Sequence, residues 1–332
     1  MGSCSPGSRE DRSIFGTFTI FWIQARFSCY VKVEAGSENQ AMKPPPFSYH
    51  DPRTVGDAVA LLGRLDNAKL LAGGQSMMPM LNMRFVQPDH IIDLNKVDGL
   101  SYIREANGAL EIGAMTRQRN IEFSDAVRKR CPLMHEAIQH VGHRQTRNRG
   151  TIGGSLCHLD PSAELVTVAA AVDATVTVLG PNGTRQVEFA AFPVAFMTPA
   201  IELNELVTAV RFPAWPDGHG YGFVEFSRRH GDFAIVSAAA LLTEDAAGKI
   251  TRASVTLGGI AVAPVRATEV EQALVGQTPD DKLLREACEA CRNYEALDDI
   301  HAPASYRQHL ATVMSRRALE QARARLKSRA KH

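Results

Sequence analysis

The chain has 332 residues, of which 45% are hydrophobic and 22% charged, as in an ordinary globular protein with a large core. Its 37 Lys and Arg residues balance 36 Asp and Glu residues, which argues against a nucleic-acid-binding protein. The six cysteines are scattered along the chain and do not have the dense spacing of a secreted disulfide framework. We therefore expect about two domains in a reducing compartment.

The first 41 residues differ in composition from the rest. An apolar run at residues 14–23 is too short to span a bilayer, and the acidic Glu10 and Asp11 before it do not suit a signal peptide. A basic residue, three prolines and a helical pattern follow Met42. We predict that residues 1–41 are an extension, disordered or derived from a non-native start, and that Met42 is the natural initiator. A genuine N-terminal strand pair is the alternative.

The pattern after Met42 predicts an α+β protein. A helix should begin near Thr54 and end near Leu65, and strand-like runs at residues 69–72 and 90–94 are typical of a βαβ-like unit. Asn-Gly dipeptides predict two hairpins, at residues 101–116 and 174–189. A helix with Ser124 as its N-cap should cover residues 124–141. The remaining predicted elements are strands within 221–229, 234–245 and 250–261 and helices near 267–275, 280–293 and 304–328.

Two diglycine turns share the same neighbours. Gly73 and Gly74 precede a Gln-Ser pair, and a second diglycine at residues 153–154 precedes Ser155. Glycine has no Cβ and can adopt a positive φ, so such a turn can expose consecutive N–H groups to an anion. One diglycine is usually only a turn. Two with matching neighbours predict backbone sites that grip a diphosphate from two sides.

The type of diphosphate is narrowed by motifs that the sequence lacks. It has no G-x-G-x-x-G after a strand, which argues against a Rossmann nucleotide site, and no G-x-x-x-x-G-K-[ST], which argues against a P-loop. About eighty residues separate the two turns. This spacing favours an extended ligand that lies between two subdomains.

The stretches AGGQSMMPMLNMR and RGTIGGSLCHLDPSAEL resemble the two FAD-pyrophosphate motifs of the molybdenum hydroxylase flavoproteins. This family includes the medium subunit of aerobic carbon monoxide dehydrogenase and the FAD domain of xanthine dehydrogenase. The stretches MKPPPFSYHDPRT, HIIDLNKV and FSRRHGDFAIVSAAALL extend the resemblance to about residues 42–325. Residues 1–41 lie outside it.

The resemblance implies the domain organisation. An α+β fold is expected, with a PCMH-type FAD-binding domain at residues 42–214 that consists of two α/β subdomains, about 42–97 and 98–214. A C-terminal flavoprotein domain at residues 218–328 should contain a three-stranded antiparallel sheet and a helical bundle.

The resemblance also implies a set of cofactor-binding residues around the pyrophosphate, the ribityl chain and the isoalloxazine. They are Ala72, Gly73, Gly74, Gln75 and Ser76 in the first turn, Thr151, Ile152, Gly153, Gly154 and Ser155 in the second, and Asp160, Glu164, Val207 and Phe233. Carboxylates such as Asp160 and Glu164 are good acceptors for sugar hydroxyls. Neither a catalytic residue nor a metal ligand is implied for this chain.

The implied function is electron transfer. Non-covalent FAD on this chain would receive electrons from a small [2Fe–2S] subunit, and substrate would be oxidised at a large molybdopterin subunit, in a dimer of heterotrimers. We expect a cytoplasmic protein, free or peripheral at the inner membrane face, with no transmembrane segment and no nucleic-acid partner. The sequence itself has no C-x₄-C-x₂-C run for a [2Fe–2S] cluster and no nucleophile elbow.

Two alternatives stay open at this point. A free-standing flavin oxidase or dehydrogenase of the wider PCMH-type superfamily would have its own substrate pocket, and a covalent flavin link to His158 or Cys157 would favour it. A nucleotide-binding or assembly protein without redox activity is the second. The pair Cys288 and Cys291 has no second pair to complete a zinc site, so we interpret both cysteines as helix packing.

Overall fold

The computed structural model describes residues 42–329, so the prediction for residues 1–41 lies outside the described residues. The strands of the described chain are β1 Ser48–His50, β2 Ala68–Leu71, β3 His90–Asp93, β4 Ile103–Ala106, β5 Ala109–Gly113, β6 Thr175–Gly180, β7 Gly183–Glu188, β8 Pro193–Ala195, β9 Thr198–Pro199, β10 Leu206–Pro213, β11 Gly220–Ser227, β12 Ala234–Glu244, β13 Ile250–Gly258 and β14 Val265–Arg266. The helices are α1 Val55–Arg64, α2 Met77–Asn82, α3 Gln118–Glu122, α4 Asp125–Arg130, α5 Pro132–Ala137, α6 Arg144–Arg149, α7 Ile152–His158, α8 Glu164–Ala171, α9 Thr268–Leu274, α10 Asp281–Cys288 and α11 Ala304–Arg329.

The first subdomain is a small parallel sheet with strand order β1–β3–β2. Helix α1 begins where predicted, with Thr54 as its N-cap. The Thr54 hydroxyl accepts a hydrogen bond from the Asp57 N–H at 3.1 Å, a donor that has no acceptor within the helix. Its buried face presents Ala58, Val59 and Leu62 to the subdomain core. The predicted βαβ-like unit is confirmed, and its first glycine turn connects β2 to α2.

The second subdomain is a five-stranded antiparallel sheet with strand order β4–β5–β10–β6–β7. Both predicted hairpins are present. Asn107 and Gly108 have φ values of 48° and 69°, the positive pair that a two-residue hairpin turn prefers. In the second hairpin Gly180 pairs with Gly183, so the turn residues are Pro181 and Asn182 rather than the Asn-Gly dipeptide.

The helix predicted over residues 124–141 is divided in two, and this part of the prediction was wrong. Ser124 caps α4 as expected, since its hydroxyl accepts from the Val127 N–H at 3.3 Å. The helix ends because Pro132 has no N–H to donate and disfavours helical backbone at the residue before it. Cys131 accordingly has φ −140° and ψ 64°, and α5 starts at Pro132.

The C-terminal domain is an antiparallel sheet with strand order β11–β12–β13–β14 and the long helix α11 packed across it. The three predicted long strands are confirmed, and the two-residue edge strand β14 is added to them. Phe223, Ala239 and Leu241 of this sheet belong to the hydrophobic core of the second subdomain, which joins the domains. Within residues 42–329 no helix has both the length and the apolar character needed to cross a bilayer.

Candidate cofactor cleft

A cleft of about 770 Å³ lies where the two subdomains and the C-terminal sheet meet. Every predicted site residue except Ile152 lines it. Both glycine turns, Glu164, Val207 and Phe233 are among the lining residues, and the Phe233 ring is 64% exposed. The fold thus brings together residues that are up to 161 positions apart in the sequence (Ala72 to Phe233).

Ile152 does not contribute to the cleft, so its assignment as a contact residue is corrected. Its side chain is fully buried in the second-subdomain core. Its N–H donates to the Thr116 carbonyl at 3.1 Å and is therefore already used. Ile152 therefore anchors the second turn to the core of the second subdomain.

The first turn presents a run of unused backbone donors. Among residues 42–329, no protein acceptor receives the N–H groups of residues 73–76. Gly74 has φ 72°, a conformation that glycine adopts without strain, and the Ser76 hydroxyl makes no capping hydrogen bond. Successive free N–H groups around a left-handed residue make an anion-binding concavity. This part of the sequence prediction has a direct geometric basis.

The second turn differs from that expectation, because its N–H groups are already paired. Gly153 donates to the Ala114 carbonyl at 2.8 Å, Gly154 to the Thr151 hydroxyl at 3.1 Å, and Ser155 to the Thr151 carbonyl at 3.1 Å. What the turn offers a ligand is close approach, since neither glycine has a side chain to narrow the cleft. The two turns are alike in sequence and unlike in hydrogen bonding.

Packing between the two turns, and not only a ligand, explains why residue 73 is glycine. A Cβ at this position would overlap the carbonyl oxygen of Arg149 and lie 2.8 Å from the Cα of Gly150. These backbone atoms immediately precede the second turn, so the two turns pack directly against each other. The close approach of the second turn is sufficient to explain why position 73 is a glycine.

Gln118 is a cleft residue that the sequence did not indicate. Its side chain lines the cleft, and its Oε1 atom is buried without a hydrogen-bond partner among the described residues. A buried acceptor without a donor is costly, so a ligand that donates to it would be stabilised. A single glutamine on the short helix α3 has no spacing pattern that could have revealed this role.

Glu164 is the most strongly perturbed acid of the cleft. Its exposed fraction is 5%, and burial raises its pKa from an ordinary value of 4.5 to about 8. The negative charge of Glu225 acts in the same direction, whereas His140 opposes it. At neutral pH Glu164 is therefore a neutral carboxylic acid that can donate a hydrogen bond as well as accept one.

Cys157 and His158 both line the cleft, and burial shifts the pKa of each. Burial raises the pKa of the Cys157 thiol to about 12, so the reactive thiolate is scarce at neutral pH. Burial lowers the pKa of His158, which favours the neutral imidazole. The described residues contain no group of three or more side chains suited to a metal ion. Cys288 and Cys291 lie in the C-terminal core, as the helix-packing interpretation predicted.

The cleft fits FAD. Its volume is in the range of cofactor sites. The free N–H groups of residues 73–76 suit phosphate oxygens, and the unpaired Gln118 oxygen suits a hydroxyl or amine donor. Two further lining residues supply carboxyl groups: Glu164, and Asp160, one of whose oxygens accepts from the Ser162 N–H at 2.8 Å.

Comparisons with known proteins agree with this geometry. Residues 45–215 match the family described as the FAD binding domain in molybdopterin dehydrogenase, and residues 221–322 match the CO dehydrogenase flavoprotein C-terminal domain. The 6-hydroxypseudooxynicotine dehydrogenase complex subunit alpha of Paenarthrobacter nicotinovorans is 38% identical, over 85% of this chain and 96% of that protein. The carbon monoxide dehydrogenase medium chain of Hydrogenophaga pseudoflava is 36% identical, over 86% and 99%.

A solved structure of carbon monoxide dehydrogenase from Hydrogenophaga pseudoflava superposes with a TM-score of 0.82 at 38% identity, over 85% of this chain and 99% of that one. The match therefore spans nearly the whole of the related subunit. The chain belongs to the molybdenum hydroxylase family, as an oxidoreductase subunit with the FAD-binding and C-terminal domains of the carbon monoxide dehydrogenase medium chain.

Proposed function

We propose that this chain binds FAD non-covalently in the cleft and carries electrons within a heterotrimeric molybdenum hydroxylase. Electrons would arrive one at a time from [2Fe–2S] clusters on a small subunit and leave to an external acceptor. The observation that carries the proposal is the first turn, whose residues 73–76 line a cleft large enough for FAD and have N–H groups that no acceptor among the described residues uses.

The flavin supplies the redox chemistry when it is bound, and the protein supplies binding, orientation and electrostatics. The residues of the first turn would donate to pyrophosphate oxygens, with each charge-assisted hydrogen bond contributing about 1.5–3 kcal/mol. Protonated Glu164 and Gln118 would exchange hydrogen bonds with the polar groups beyond the pyrophosphate. The side chain of Val207, which is nearly fully buried, would offer an apolar surface to the ring system.

The names of the relatives support a proposal for the partners. One relative is named as a subunit of a dehydrogenase complex and another as the medium chain of carbon monoxide dehydrogenase, and the solved relative is described as lacking the Mo-pyranopterin moiety of the molybdenum cofactor. We assign this chain partners of the same kinds, a large molybdopterin subunit and a small [2Fe–2S] subunit, in a dimer of heterotrimers. The substrate would then react on the large subunit and never contact this chain.

The bound cofactor should be FAD, and it should be released intact when the protein is denatured. FAD is expected because the first turn offers free N–H groups to a pyrophosphate and the second turn packs directly against it, and release is expected because burial keeps the Cys157 thiol in its unreactive protonated form. Acid precipitation followed by chromatography of the supernatant measures both. FMN alone in the supernatant, or flavin retained on the precipitated chain, would contradict the proposal and favour a free-standing flavin oxidase.

A further inference from the structure

A chain of hydrogen bonds joins the two glycine turns outside the cleft. Asn95 Nδ2 donates to the carbonyl oxygen of Ala72 at 2.9 Å, in the first turn. Arg117 donates through Nη2 to Asn95 Oδ1 at 2.5 Å and through Nη1 to the carbonyl oxygen of Arg149, just before the second turn. Neither Asn95 nor Arg117 lines the cleft itself.

These hydrogen bonds are anchored in the first subdomain. Asp93, at the end of β3, accepts from the Asn95 N–H at 2.8 Å and from Asn95 Nδ2 at 2.5 Å. Its other oxygen accepts from the Tyr49 hydroxyl at 2.6 Å. Asn95 is therefore held in one orientation, and the position of the Arg117 guanidinium is set by acceptors on both subdomains.

Arg117 also brings positive charge to the turns without a matching carboxylate. Within the described part of the chain, neither Arg117 nor Arg149 is within 4.0 Å of a carboxylate oxygen. Burial and the charge of Arg149 lower the pKa of Arg117, and Asp93 opposes them. A diphosphate bound at the turns would reduce this repulsion, since opposite charges at such range attract.

We propose that Arg117 is a positioning residue for the cofactor: it fixes the separation of the two turns and supplies positive charge beside them, so that the site selects a diphosphate over a monophosphate. The inference rests on the proposed FAD site and deepens it. FMN has a single phosphate, which the free N–H groups of the first turn could hold alone, so it gains little from a fixed approach of the second turn.

The charge and the geometry can be separated by substitution. Arg117→Gln removes both, whereas Arg117→Lys keeps the charge but replaces a planar fork that reaches two acceptors with a single ammonium. Arg119→Gln is the matched control. It removes the same charge two residues along the chain, at a residue of α3 that is paired with Glu122 at 3.0 Å and stacked on Phe123.

The dissociation constants of FAD and FMN for the deflavinated proteins test the proposal, together with their dependence on salt. Arg117→Gln should weaken FAD binding about ten- to a hundred-fold, weaken FMN binding less, and reduce the salt dependence. Arg117→Lys should restore the salt dependence but only part of the FAD affinity. Arg119→Gln should remain within about twofold of the unmodified protein.

Several results would overturn the inference. FAD affinity of Arg117→Gln equal to that of Arg119→Gln would do so. So would equal losses for FAD and FMN in both Arg117 variants with a lowered melting temperature, since that pattern indicates a structural role only. If the unmodified protein and Arg119→Gln bind neither flavin, the proposed function itself is wrong.

Discussion

Gly73→Ala should weaken FAD binding by a hundredfold or more, a loss of at least about 2.7 kcal/mol. The added methyl group would meet the Arg149 carbonyl oxygen and the Gly150 Cα, which are backbone atoms and cannot rotate away. The two turns must then move apart, and the free N–H groups of residues 73–76 lose their position relative to the second turn. Titration of the deflavinated protein with FAD, followed by flavin fluorescence, measures the effect.

Gly63→Ala is the control for this substitution. It adds the same methyl group near the end of α1, where no heavy atom lies within 4 Å of the new Cβ. Alanine is the better helix former, so stability should be unchanged or slightly increased and FAD affinity preserved. If both variants bind FAD equally well, contact between the turns is not needed for the site.

Glu164→Gln should stabilise the FAD-free protein at pH 8 and have less effect at pH 5. The folded-state pKa of about 8 lies above the ordinary value of 4.5, so ionisation favours the unfolded chain. The stabilising contribution of this group is complete below about pH 4.5, falls as the pH rises, and is lost above about pH 8. The free energy of unfolding should change by on the order of a few kcal/mol over this interval. Glutamine does not titrate. The difference in melting temperature between variant and unmodified protein should therefore grow with pH.

Glu111→Gln provides a contrast of opposite sign. The hydrogen bond from the Tyr102 hydroxyl and the interaction with Arg104 lower the Glu111 pKa below its ordinary value of 4.5. Its stabilising contribution is present above that value and is lost only in acid. Glu111→Gln should thus lower the melting temperature similarly at pH 5 and pH 8. If the melting-temperature difference of Glu164→Gln is also the same at pH 5 and pH 8, the pKa of Glu164 in the folded protein is not raised.

Local chemistry explains what the sequence could predict. Thr54 and Ser124 cap their helices because an N-cap needs only a hydroxyl and the next turn of the chain. The first glycine turn was identified for the same reason, since Gly74 and its free N–H groups depend on neighbours within a few residues. Pro132 is also a local signal, because a proline breaks the helical hydrogen bonding whatever the apolar pattern around it. The apolar pattern alone predicts one continuous helix over residues 124–141, which is wrong.

Contacts between distant segments explain what the sequence could not predict. Gly73 is required by backbone from the segment before the second turn, and a glycine required by distant backbone looks the same as one required by a ligand. The N–H groups of the second turn are used because β5 ends beside it and Ala114 accepts from Gly153. Arg117 bridges the subdomains through a geometry that no residue spacing encodes.

The proposed electron-transfer role is tested most directly by mixing the FAD-loaded chain with the reduced form of the proposed [2Fe–2S] subunit under anaerobic conditions and following both chromophores by stopped-flow absorbance. We predict that the flavin band bleaches as the iron–sulfur band recovers, with two clusters oxidised by one electron each for every flavin fully reduced. A stable complex between the two subunits in which the clusters stay reduced and the flavin stays oxidised would contradict the account.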